Sequence, residues 1–246
     1  MGYGMGTDYD AIAADYRRAK QQPWRLAIES YTLMGLVGDL ERRSAVDVAC
    51  GEGFYTRLLR RHGAARVVGV DVSEGMIRLA REAEEVAPLG VEYRVGDALR
   101  LDLPETFDLA VAAYLLNYAR DADELAAMCR GVARCLRPGG RFVAVNSNPG
   151  MDYRRLPSFR RYGFDVHLSG EVRDGTPFTW TFYLDGGPVR VENYHLGVAT
   201  HEAALRSVGF HDVTWHRPRL APDAAADGDW SSFLEHPPVV FLECRT

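Results

Sequence analysis

The sequence lacks any uninterrupted apolar run of the length that a membrane span requires. Its first twenty residues, MGYGMGTDYDAIAADYRRAK, carry acidic side chains and no sustained apolar stretch, so neither a signal peptide nor an anchor is expected. Cysteine is sparse. Cys50, Cys129, Cys135 and Cys244 form no CxxC pair and have no histidines at zinc-site spacing, so reduced thiols, no metal site and a cytoplasmic location are the expectations. Basic charge is not in excess either: 29 Lys and Arg face 34 Asp and Glu, a formal net charge of -5 that offers no field to draw a polyanion. Nucleic acid and membrane are therefore unexpected as partners, and nothing in the pattern bears on oligomeric state.

With 47% hydrophobic and 26% charged residues among 246, the chain suits one globular domain with a sizeable core. Helical spacing joins Tyr9, Ile12, Ala13 and Tyr16, and again Leu26, Ile28, Leu33, Leu36 and Val37 in a run from Trp24 to Leu40. These segments form an expected N-terminal helical flap over residues 1–43. Strand and helix patterns then alternate: strands at Val46 to Ala49, ARVVGVDV, VEYRV, FDLAVAA and RFVAVN, with helices from about Tyr55 to His62, Glu74 to Val86 and Asp121 to Leu136. Such alternation predicts a mostly parallel sheet with helices on both faces, its core spanning residues 44–146. Beyond Asn146 the pattern reads as loop until two alternating runs, PFTWTFYL and VRVENYHLGV, which predict an inserted antiparallel hairpin within residues 147–198. Thr200 is expected to cap a helix, THEAALRSV, and strands at FHDVTWH and VVFLEC complete the sheet over residues 199–246. The expected fold is α/β, Rossmann-like, with seven strands.

The stretch VDVACGEGFY, at residues 46–55, ends a strand in two glycines, Gly51 and Gly53, which permit a tight turn and leave the backbone open to a ligand. In an open α/β sheet this is the ligand edge. Asp71, at the end of the second strand, is placed to accept from the hydroxyls of an adenosine ribose. A dinucleotide and S-adenosylmethionine both carry that ribose. The third position of the dinucleotide pattern GxGxxG is Thr56 rather than glycine, and Asp47 inside the strand would repel a pyrophosphate while suiting a methionine ammonium. Asp97, after the third strand, can accept from the adenine amine.

In order, VDVACGEGFY, VVGVDVSEGMIRLAR, GDA, FDLAVAAYLLNYA and LRPGGRFVAV resemble the consecutive motifs of class I S-adenosylmethionine-dependent methyltransferases. The resemblance covers residues 44–146. It implies that Ala49 and Gly51 line the methionine end, that Asp71 holds the ribose, and that Val72 and Met76 flank the adenine. It further implies that Asp97 and Ala98 meet the adenine edge and that Ala113 offers a backbone contact beneath the sulfonium, S-adenosylhomocysteine being the product. Outside the core, the segment from Tyr16 to the glycine loop, LLNYA, RYGFDV and ENYHLGVATHEAALRSVGF are similar to the toxoflavin biosynthesis methyltransferase group, which implies a small-molecule acceptor.

Displacement at a sulfonium needs alignment and dryness, and a base only where the acceptor must lose a proton. Tyr16 and Arg25 in the flap are candidates for the cofactor, Arg25 as a fork on its carboxylate. Asn117 and Tyr118, after the fourth strand, and Tyr194 in the hairpin are candidates to line the acceptor pocket. LLNYA has no Asn-Pro-Pro-aromatic sequence of the kind that holds a flipped base. His195, or Glu192, is the candidate base, and Arg154, Arg155, Arg160 and Arg161 read as a solvated loop. N-methylation of a small, heterocyclic biosynthetic intermediate is the expected reaction. O-methylation of a phenol or carboxylate, a binding module without turnover and an NAD-dependent oxidoreductase are the alternatives.

Overall fold

The computed structural model describes residues 22–226 and 228–246. Tyr9 and Tyr16 lie outside the described residues. Seven strands, β1 (Ser44–Val48), β2 (Arg66–Asp71), β3 (Glu92–Val95), β4 (Phe107–Ala113), β5 (Leu136–Ser147), β9 (His211–His216) and β10 (Val239–Arg245), form one sheet in the order β3-β2-β1-β4-β5-β10-β9. β1 to β5 pair in parallel, whereas β10 runs antiparallel to both β5 and β9. The order reverses between β1 and β4, and the carboxyl ends there open onto a crevice in which such sheets place ligands.

Strands covered on both faces must be apolar on both, and the central strands β1, β2, β4 and β5 are. Ala45, Val67, Leu109, Val111, Val143 and Val145 join one core, while Val46, Val48, Val68, Val70, Ala110, Phe142 and Ala144 join the other. On the first face pack α1 (Tyr31–Val37), α2 (Phe54–Arg61) and α3 (Glu74–Val86) through Leu33, Leu59 and Ile77. On the second pack α4 (Ala122–Arg134) and α5 (Val198–Ser207) through Leu125, Val132 and Leu205. Ser73 and Asp121 cap α3 and α4, each accepting a backbone N–H of the first turn. Among the described residues no helix is long and apolar enough to cross a membrane.

Three features differ from the sequence expectation. The helical run from Trp24 opens as a π-helical turn, Arg25–Ser30, before α1, which Gly38 ends at φ +69°. The expected hairpin is present as β7 (Thr176–Leu184) paired with β8 (Gly187–His195), and it gains a third strand, β6 (Phe164–Leu168), on the outer edge of β7. The residues of β6, FDVHL, do alternate, with Phe164, Val166 and Leu168 on one face. The third difference is at Thr200, which does not cap α5; the helix starts two residues earlier, and the Thr200 hydroxyl donates to Asp174. A short helix, α6 (Ser231–Glu235), precedes β10 and sends Phe233 into the first core.

Candidate active site

The β1–α2 loop bends sharply at the switch point, with φ of +61° at Ala49, +56° at Gly51 and +89° at Gly53. The two glycines serve different ends. A Cβ at Gly53 would collide with the Tyr93 hydroxyl, whereas one at Gly51 would meet nothing within 4 Å, so Gly51 presents bare backbone to the crevice. The Asp71 carboxylate accepts from the Gly51 amide at 2.8 Å and the Ser73 amide at 2.9 Å, joining the ends of β1 and β2. Beside it Val72 is 66% exposed, an apolar side chain facing open space. Met76 lies beneath, buried in the first core. Asp97 accepts from the Leu99 amide at 2.9 Å and starts a short turn with Ala98, and Ala113 ends β4. Cys50 is buried, and burial together with Asp47 and Asp71 pushes its thiol well up, so it stays protonated.

Above this edge the π-helical turn sets Arg25 and Glu29 on one side, four residues apart and both buried. Arg25 Nη1 lies 3.0 Å from both Glu29 oxygens, and its guanidinium sits 4.5 Å from the Trp24 ring centroid and 5.4 Å from that of Tyr114. Tyr55 donates to Glu29 at 2.5 Å, and the Tyr114 hydroxyl donates to its other oxygen. Burial, then the Glu29 charge, raises both phenols well above the ordinary tyrosine value, which keeps them as donors. The fork expected on a cofactor carboxylate thus engages the chain's own Glu29. Glu29 and Tyr114 were missed from sequence, although Arg25 and Glu29 stand at visible i,i+4 spacing. Tyr114 also holds φ +70° just past β4, the counterpart of Ala49 past β1.

The insert roofs the site with the inner faces of β7 and β8: Phe178, Trp180, Phe182, Val191, Asn193 and His195 are buried. Trp180 and Phe182 stack at 5.8 Å and 15°, and the indole N–H of Trp180 donates to Ser147 Oγ at 2.9 Å. The Ser147 amide donates in turn to Asn117 Oδ1 at 3.2 Å, tying β5 to the turn Leu116–Tyr118. Tyr118 borders a narrow cavity under Trp180 and Phe182. His195 is buried with its ring edge-on to Tyr153 at 5.8 Å; burial lowers its pKa below 6.5, against the weaker pull of Asp174, so it is neutral at pH 7. Tyr194 points the other way. On the outer face its hydroxyl donates to Glu192 at 3.1 Å, so strand alternation keeps both from the cavity that Asn193 borders.

Residues 45–140 match the methyltransferase domain family. An S-adenosylmethionine-dependent methyltransferase from Mesorhizobium loti superposes with a TM-score of 0.65 at 25% identity, over 89% of this chain and 97% of that one. The N-demethylindolmycin N-methyltransferase of Streptomyces griseus is 30% identical over 222 residues, 85% of this chain and 90% of that protein. The chain belongs to the S-adenosylmethionine-dependent methyltransferases. A second relative of this methyltransferase, the ubiquinone/menaquinone biosynthesis C-methyltransferase of Desulfotalea psychrophila, is 29% identical over 228 residues, 88% of this chain and 86% of that protein. Family membership therefore gives the donor and the reaction type, and leaves the acceptor atom open. The edge suits the donor on structural grounds: bare backbone at Gly51, a carboxylate at Asp71 and the exposed Val72 meet in one crevice. Among the described residues no cluster of His, Cys, Asp or Glu could hold a metal ion.

Proposed function

We propose that this methyltransferase methylates a nitrogen of a small, heterocyclic biosynthetic intermediate. The observation that carries the reading is the roof: a buried face of Phe178, Trp180 and Phe182, with Tyr114 edge-on to Trp180 at 6.3 Å, beside the carboxyl ends of β4 and β5. Aromatic walls beside this edge exclude water, which is what transfer to a neutral nitrogen needs. The relative named for N-demethylindolmycin supports the same class.

S-adenosylmethionine, when bound, supplies an electrophilic methyl group. Ala49 and Gly51 would hold its methionine end, Asp71 would accept from the ribose hydroxyls, Val72 and Met76 would flank the adenine, Asp97 and Ala98 would meet its edge, and Ala113 would offer a backbone contact near the sulfur. Arg25 acts indirectly, by holding Glu29 and through it Tyr114. Asn117 and Tyr118 border the acceptor, and His195, neutral at pH 7, is the group able to take a proton. That last property favours a second reading, methylation of a hydroxyl, which requires a base.

The test is incubation with S-adenosylmethionine and a panel of heterocyclic amines and phenols, with mass spectrometry of the products. Methylated heterocyclic nitrogen is the expected result. Methylation confined to phenols, or no turnover across the panel, overturns it.

A further inference from the structure

The inner face of the insert is apolar from Phe178 to Phe182 on β7 and at Val189 and Val191 on β8, and turns polar at Asn193. Asn193, 3% exposed, stands between Val191 and His195, and its Nδ2 is buried without a hydrogen-bond partner. It borders the narrow cavity that Arg25, Tyr114, Tyr118, Trp180, Phe182 and Val191 also line. Three other donors of its wall are engaged: Trp180 Nε1 on Ser147, Arg25 Nη1 on Glu29 and the Tyr114 hydroxyl on Glu29. Because Arg25 and Glu29 neutralise each other within the wall, the cavity carries no net charge from that pair, and a neutral ligand suits it. The cavity measures about 20 Å³, room for one water-sized group and not for a ring. A buried donor without a partner, on a residue that borders a space of that size beside stacked indole and phenyl rings, matches a single acceptor atom projecting from a flat molecule.

We infer that Asn193 selects the substrate, donating a hydrogen bond from Nδ2 to a carbonyl oxygen on a neutral, planar heterocycle whose ring lies at the cavity mouth. This rests on the small heterocyclic acceptor proposed above and narrows it to lactam-like rings. A buried donor built for such an oxygen rejects an analogue without it, because the amide then stays unpaired. Asn193 is a specificity-determining residue here, with no part in proton transfer.

The experiment is calorimetric titration of the full chain, saturated with S-adenosylhomocysteine, with two matched pairs: oxindole and indoline, and hydrocarbostyril and tetrahydroquinoline. Wild type is expected to bind each lactam at least about tenfold more tightly than its deoxo partner. N193L and N193A are expected to remove the preference while leaving S-adenosylhomocysteine affinity within about twofold of wild type, the second variant guarding against misfit of leucine. Equal binding within pairs by wild type, binding of neither member, or a preference that survives in both variants overturns the inference. The two proposals fail separately. Lactam preference lost in N193L without any nitrogen methylation sinks the reaction class alone; nitrogen methylation with no dependence on Asn193 sinks this inference alone.

Discussion

Thr56 Oγ1 donates to Asp47 Oδ2 at 2.7 Å, both residues buried, so the first turn of α2 is tied to the middle of β1. Where a dinucleotide site uses a third glycine to bring helix and strand together beneath a pyrophosphate, this protein uses a hydroxyl and a carboxylate. Asp47 thereby acts on the loop from below. Thr56→Val keeps the shape and removes the donor, and it is expected to cost about 1–3 kcal/mol, read as a lower midpoint in urea unfolding. No loss of stability would separate this pair from the integrity of the loop.

Gly51 and Gly53 should respond differently to alanine. Both have positive φ, so each substitution carries backbone strain of about 1–2 kcal/mol. At Gly53 the added Cβ also strikes the Tyr93 hydroxyl, and Gly53→Ala should lose stability beyond that range. At Gly51 the Cβ enters open space, so Gly51→Ala should fold and lose affinity for S-adenosylhomocysteine instead. Thermal unfolding and ligand titration on both variants check the contrast.

The buried pair of Arg25 and Glu29 is expected to show the asymmetry of low-dielectric ion pairs. Glu29→Ala removes the carboxylate that Arg25, Tyr55 and Tyr114 all engage, and should cost about 3–5 kcal/mol. Arg25→Met combined with Glu29→Leu removes both charges and should cost less than Glu29→Ala alone. A double-mutant cycle in chemical denaturation measures the coupling, and a more costly double variant would contradict it.

Acid should weaken the fold before the carboxylates titrate. His195 and His201 are buried, and desolvation holds both below the ordinary value of 6.5. The unfolded chain therefore takes up protons first as pH falls through 6.5, and stability drops until each folded pKa is reached. Above about pH 7.5 these groups contribute no slope. Unfolding midpoints between pH 8 and about pH 5 should fall on the acid side, by up to about 1.4 kcal/mol per pH unit for each histidine. His195→Gln should flatten the slope.

The strands of the large sheet were legible because both faces are apolar: runs such as FDLAVAA and RFVAVN have no other stable place. β6 was obscured because its alternating run is only five residues long and lies between an arginine-rich turn and a loop. At the site, period two already opposed Tyr194 to His195, but which face turns inward is decided by packing against Tyr153 and the cavity, which sequence does not carry. Arg25 was legible as a cation of the flap. Glu29 stands four residues on in plain view, but that this carboxylate is its buried partner is decided by packing, which sequence does not carry.

The account rests on the crevice at Gly51 and Asp71 being the cofactor site. Its most direct test is calorimetric titration of wild type and Asp71→Ala with S-adenosylhomocysteine and with NAD. The account predicts saturable binding of S-adenosylhomocysteine by wild type, weakened at least about tenfold in Asp71→Ala, with no binding of NAD. Binding of NAD, or S-adenosylhomocysteine affinity unchanged by Asp71→Ala, would contradict it.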